Sequence, residues 1–176
     1  SLAGRAAQLE LAPFQAREVL PAWHGNVGKR LVRARKVYVR DSGIVHALLG
    51  LASLEAVLAH TVAGASWEGF VIEQLLAPSA SAAASSCRTA HGAEADLVLR
   101  FHDGETWVVE IKRASAPTTS KGFHQAATDV GATKRLLLAT VATSYPTRDG
   151  VEVMSPLPRP TCWPTAQGDS GISLLA

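Results

Sequence analysis

The chain has 176 residues, 47% of them hydrophobic and 18% charged, which is enough apolar side chain for one folded domain with extras and unlike a disordered polymer. Its net charge of +2 conceals an imbalance, because Lys29, Arg30, Arg33, Arg35, Lys36 and Arg40 fall within residues 29–40 without an acid and leave the remainder acidic. Cys87 and Cys162 lie far apart, with no CxxC or Cys/His cluster, which speaks against a disulfide framework or a zinc site and for a reducing cytoplasm.

The longest uncharged apolar stretch, Ser42 to Leu54, contains His46 and is too short to span a bilayer. No signal peptide is visible. The chain opens on Ser1 rather than Met, so a fragment or a processed chain is expected.

In chain order, the pattern predicts a strand from Ala7 to Leu11 and a helix from Gln15 to Trp23 interrupted by Pro21. The basic segment follows, with a strand at Val37-Tyr38-Val39 flanked by Lys36 and Arg40. Asp41 or Ser42 caps a helix carrying Ile44, Val45, Leu48 and Leu49, ended by Gly50. A second helix runs from Ser53 to His60. A third is capped by Ser66, places Trp67, Phe70, Val71, Gln74 and Leu75 at helical spacing, and stops at Pro78. The Ala/Ser-rich stretch 79–86 reads as a surface loop. A strand at Cys87-Arg88-Thr89, a turn at Ala90-His91-Gly92 and a hairpin over 94–112 form a three-stranded meander. A helix at Lys121–Val130 and strands at Lys134–Val141 and Val151–Met154 complete the domain. From Ser155 onward the spacing of prolines predicts an irregular tail.

The hairpin carries the chemistry. Between Glu94–Phe101 and Trp107–Lys112 lies the three-residue loop His102-Asp103-Gly104, with Gly where a left-handed backbone is needed. That loop pairs Phe101 with Glu105 and so sets Asp96 opposite Glu110. Lys112 shares their face by two-residue alternation, while Leu97, Leu99, Phe101, Trp107 and Val109 line the other. Opposed carboxylates destabilise a sheet unless a cation intervenes. Lys112 and a divalent metal are the candidates, and hard oxygen ligands favour Mg²⁺ or Mn²⁺. Glu68, beside the apolar stripe of the third helix, is placed to add a further carboxylate. Gln125, next to His124 on the following helix, is within reach of substrate or of a metal-bound water. The competing reading is a charged hairpin face that is merely solvated.

The basic run suits a phosphate backbone, bound without sequence preference and weakened by salt, though a solvated strand face explains it equally well. Gly25-Asn26-Val27-Gly28-Lys29-Arg30 fails the phosphate-loop spacing, because Trp23 stands where Gly is required. No nucleotide site is expected in this chain.

Three segments in order, Trp67-Glu68-Gly69-Phe70-Val71, then Gly92 to Leu99, then Val109-Glu110-Ile111-Lys112-Arg113, resemble a restriction-endonuclease-like domain of uncharacterised function at the C-terminus of prokaryotic AAA-type ATPases. Residues 28–43 resemble the segment leading into that domain, and residues 1–14 the end of the ATPase. The resemblance spans about residues 1–154 and implies a PD-(D/E)XK core: an α/β fold of helix, three-stranded meander, helix and strand, in a mixed four- to five-stranded sheet flanked by helices. Glu68, Asp96, Glu110 and Lys112 take the motif positions and Gln125 that of the polar helix residue. Some relatives have QxxxY there, whereas position 129 is Asp129. The Walker motifs, most of a helical segment between Pro21 and Gly28 and a counterpart to the tail are absent.

The expected organisation is an ATPase remnant with a basic linker over 1–41, a nuclease-like domain over 42–154 and a tail over 155–176. The leading expectation is metal-dependent hydrolysis of nucleic-acid phosphodiesters, DNA before RNA. Asp96, Glu110 and Glu68 would hold Mg²⁺ or Mn²⁺, Lys112 would activate water, and residues from Lys29 to Arg40 would grip the backbone. A docking module without catalysis and an inactive relic are the alternatives.

Overall fold

The computed structural model describes residues 19–23, 36–77, 79, 82–89 and 91–157. Alternation of apolar residues in the hairpin generates the centre of a six-stranded mixed sheet. Its strands are β3 (Ala83–Arg88), β4 (Glu94–Arg100), β5 (Thr106–Ile111), β6 (Lys134–Leu138), β7 (Tyr145–Pro146) and β8 (Glu152–Met154), in the order β3-β4-β5-β6-β8-β7. The first three form the antiparallel meander, and β5 to β6 and β6 to β8 are parallel. A separate two-stranded sheet pairs β1 (Val19–Leu20) with β2 (Lys36–Val37). The described helices are α1 (Ser42–Leu48), α2 (Leu54–Ala59), α3 (Ala63–Leu76) and α4 (Lys121–Asp129). None of the described helices is long and apolar enough to cross a membrane.

The sheet is covered on both faces. Val71, Ile72, Leu75 and Leu76 of α3 pack on Leu97, Leu99, Trp107, Val109, Ile111, Leu136 and Leu138. Phe123, Ala126 and Ala127 of α4 pack with Val98, Val108, Leu137 and Val153 on the other side. The parallel pair β5–β6 needs a crossover, and α4 supplies it. Ser120 caps α4 by accepting from the Phe123 N–H. Gly122 lets that helix start close to the preceding meander, since a Cβ there would fall 2.4 Å from the Gly92 carbonyl oxygen.

Several expectations hold. Asp41 accepts from the Gly43 and Ile44 N–H groups at the start of α1. The hairpin loop closes through Phe101 N–H to Glu105 O at 2.9 Å, with Gly104 at φ 91°.

Others are corrected. The sheet has six strands rather than four or five, because the two-residue β7, too short to show periodicity, pairs with β8. The helix expected to reach Trp23 is extended backbone at its described end: Pro21 O accepts from Ser86 N–H, and Trp23 N–H donates to Ser86 O. Helix α3 begins at Ala63, so Ser66 lies inside it and bonds the His46 ring instead of capping. Part of the Ala/Ser stretch is strand β3, which pairs with β4 at the edge of the sheet, a long-range pairing that no local pattern of alanines and serines marks. The strand expected at 7–11, the Pro78 stop and the tail from 158 lie outside the described residues.

Gly122→Ala is expected to cost about 1–3 kcal/mol, as other overpacked contacts do, and to lower the midpoint of thermal unfolding. Gly64→Ala, with open space around it, should leave that midpoint unchanged or raise it. Equal midpoints for the two variants would contradict the close approach of α4 to residues 92–93.

Candidate functional site

Strand β4 is not regular. Ser85 pairs with Val98 but Cys87 pairs with Ala95, so Ser86 stands opposite both Asp96 and Leu97. Such a bulge adds one residue to a strand and turns its side chain out of strict alternation. Ala95 and Val98 accordingly both belong to the α4-side core, while Leu97 belongs to the α3-side core. The last regular pair with β5 is Leu97 with Val109. Beyond it, the Ile111 N–H donates at 2.9 Å to Asp96 Oδ2, a side chain doing the work of a ladder carbonyl.

The other oxygen, Asp96 Oδ1, accepts from Lys36 Nζ at 2.9 Å. The same ammonium meets Glu68 Oε1 on α3. Lys36 reaches this position because residues 36–40 run extended beside α3, presenting every second side chain to it. Tyr38 Oη donates to Glu73 at 3.0 Å, and Arg40 Nε pairs with Glu73 at 2.7 Å. A methyl at Gly69 would meet the Tyr38 ring at 3.1 Å, so the two elements are in close contact. Val37 is instead 72% exposed and Val39 48%. The basic strand therefore turns its polar side inward. Two of the six residues expected to grip nucleic acid, Lys36 and Arg40, are engaged by carboxylates, while Lys29, Arg30, Arg33 and Arg35 lie outside the described residues.

Glu110 is 5% exposed. Its Oε1 meets Lys112 Nζ at 2.8 Å, and its buried Oε2 has no hydrogen-bond partner among the described residues. Lys112 is held in line by its own N–H, which donates to Leu138 O of β6 at 2.8 Å. Asp96 and Glu94 also act on the Lys112 ammonium through charge. The expected four residues therefore gather at one end of the sheet as two adjoining ion-paired groups, Glu68–Lys36–Asp96 and Glu110–Lys112. The hairpin count set Asp96 across from Glu110 on one face; the bulge instead turns Asp96 toward Glu68, and its carboxylate accepts from the Ile111 N–H. Among the described residues, no three Asp, Glu, His or Cys side chains stand together as a ready metal-binding set.

Gln125 is not brought to this group. It is exposed on α4 and donates to Asp129 Oδ1, four residues on, at 2.7 Å. The neighbouring His124 Nε2 contacts Thr119 Oγ1 and Asp149 Oδ2, each at 2.8 Å. Cys87 is buried in the α4-side core.

Burial by itself would lower the Lys36 pKa, but Asp96 and Glu68 outweigh it and hold the ammonium above the ordinary lysine value. The hydrogen bond that Lys112 donates to Glu110, ahead of the opposing burial, raises Lys112 likewise. Burial and the Asp96 charge push Glu68 above the usual carboxylate range despite Lys36. The structural part played by Lys36 and Glu73 was hidden in the sequence. Polar residues at 36, 38 and 40 alternate with Val37 and Val39, but alternation does not say which side faces inward.

Residues 63–159 match the family described as Domain of unknown function (DUF4143), and the chain belongs to that family. Residues 14–55 match a second Domain of unknown function (DUF8612). The chain is 41% identical over 127 residues to an uncharacterized protein of Mycobacterium tuberculosis and, equally, to one of Mycobacterium bovis; each alignment covers 72% of this chain and 27% of the relative. The chain thus spans about a quarter of the length of these relatives. No solved structure matches.

Two predictions follow from the paired charges. Asp96→Ala removes both the Lys36 partner and the acceptor for Ile111, and should cost about 1–3 kcal/mol. Glu68→Gln, which replaces a carboxylate whose ionisation is disfavoured, should cost less than about 1 kcal/mol at neutral pH; urea unfolding of both variants checks the order. Raised lysine pKa values also give stability that is complete below the ordinary lysine value, about 10.4, and is lost as pH rises through the raised ones. Urea midpoints from pH 8 to 11.5 should fall at the alkaline end, and less steeply in Lys36→Met.

Proposed function

We propose that this domain has a restriction-endonuclease-like PD-(D/E)XK core and cleaves phosphodiesters of nucleic acid with Mg²⁺ or Mn²⁺, DNA before RNA. We further propose that it serves in the cytoplasm beside an AAA-type ATPase in longer members of its family. The order α3, β3-β4-β5, α4, β6 supports this reading. So does the placement of Glu68, Asp96, Glu110 and Lys112 at one end of the sheet. The observation that carries it is Glu110: a buried carboxylate that gives one oxygen to Lys112 and leaves the other without a partner among the described residues. An unsatisfied buried oxygen is costly to retain and is the donor a hard cation would use.

Asp96, Glu110 and Glu68 are the residues that would hold the metal. When bound, it would stabilise charge on the phosphate and acidify a water. Lys112 acts as an ammonium, because Glu110 keeps it protonated well above neutrality. It therefore orients the attacking water and stabilises developing negative charge, rather than removing the proton as an amine would. Glu110 is buried while the Lys112 side chain is 42% exposed, so the ammonium is open to an incoming phosphate. Lys29, Arg30, Arg33 and Arg35 remain the proposed backbone contacts.

A second reading, docking without catalysis, is favoured by one observation. Leu48 and Leu54 on α1 and α2 are 82% and 72% exposed. Leu54 lines a groove of about 280 Å³ together with Leu58, Trp67 and Phe70. An apolar surface of this kind suits a protein partner.

Incubation with plasmid and single-stranded DNA in Mn²⁺ separates the two. Cleavage by the native chain, reduced about 100-fold or more in Glu110→Ala and Lys112→Ala, supports the nuclease. Equal products from native chain and Glu110→Ala would end that reading and leave docking.

A further inference from the structure

Two carboxylates from different elements, Glu68 of α3 and Asp96 of the β4 bulge, converge on a single ammonium, that of Lys36. Without a cation between them they would repel. Lys36 supplies one positive charge to two carboxylates, whereas a divalent ion would match both. Its attachment is also light. Strand β2 is two residues long and pairs only with β1 among the described strands, and a lysine stem can swing its head away by rotation alone. Tyr38 and Arg40 remain anchored on Glu73 when it does so.

From this arrangement we infer that Lys36 is the resident cation of the acidic site, occupying the place of a divalent metal, and that metal enters only as the Lys36 ammonium withdraws. The inference rests on the proposed metal site but not on cleavage. Lys36 is then a built-in competitor: it keeps Glu68 and Asp96 together when no metal is present and sets the metal concentration at which the site fills. Residues 36–40 couple this exchange to β1 and to α3, so a partner that pulled on β2 would open the site.

The test is calorimetric titration of Mn²⁺ into the native chain, Lys36→Gln and Lys36→Met, each checked for a cooperative thermal transition. Removing the competing charge should tighten Mn²⁺ binding by about tenfold or more. Equal or weaker binding in folded variants would overturn the inference. Should both variants fail to fold, ¹⁵N spectra of the lysine ammonium groups in the native chain decide. Added Mg²⁺ should shift the Lys36 signal or speed its proton exchange, and an unmoved signal at high Mg²⁺ would overturn the inference as well. The plasmid assay keeps the two ideas apart. Tighter Mn²⁺ binding by Lys36→Gln with no cleavage by any form would sustain the inference while removing the nuclease. Cleavage by the native chain with unchanged Mn²⁺ affinity in the variants would do the reverse.

Discussion

The carboxylate of Asp96 is the constraint on which this end of the molecule depends. One oxygen ends the β4–β5 ladder by accepting from Ile111, and the other receives Lys36 from a separate sheet. Both bonds require that β4 bulge at residues 96–97. In strict alternation Asp96 would lie on the α4 side with Val98 and Val108; the extra residue turns it toward α3. A single irregularity thereby joins the main sheet, the small sheet and the helix that carries Glu68.

The packing explains why the irregularity is tolerated. Leu97, Leu99, Trp107 and Val109 are buried against α3, and Val98 and Val108 against α4. Shifting β4 by one residue would exchange the sides of Leu97 and Leu99 with that of Val98. The register is thus fixed from both sides, and the surplus residue falls beyond the last regular pair. Ser86, opposite the bulge, turns its backbone bonds outward to Pro21 and Trp23. The preceding segment is tied to the same point of the sheet. Arg100 lies over the Trp23 ring at 4.2 Å from its centroid and adds a second tie.

Much of this was legible in the residues. Local signals, such as the Asp41 cap and the Gly104 turn, act within a few residues and are read directly. The alternation in 97–109 marked the side of the hairpin that packs on α3. What was hidden depends on distant contacts. No local pattern marks the bulge, because it reflects the pairing of β4 with a strand of alanines and serines. No pattern says that Lys36 and Arg40 face α3 while Val37 and Val39 face water. Charge at residue 36 suggested a solvated or phosphate-binding face; carboxylates from residues 68 and 96 make it interior. Gln125 failed for a similar reason. Its partner is Asp129 on its own helix, an i,i+4 bond that forms without any contribution from the site.

The link between Asp96 and Lys36 is most directly measured by a double-mutant cycle. Unfolding free energies would be obtained in urea at pH 7 for the native chain, Lys36→Met, Asp96→Asn and the double variant. Two residues that share a bond across separate sheets should be coupled by about 1 kcal/mol or more. A coupling energy indistinguishable from zero, with all four proteins folded, would contradict the account. It would mean that the small sheet and the acidic end of the main sheet are stabilised independently.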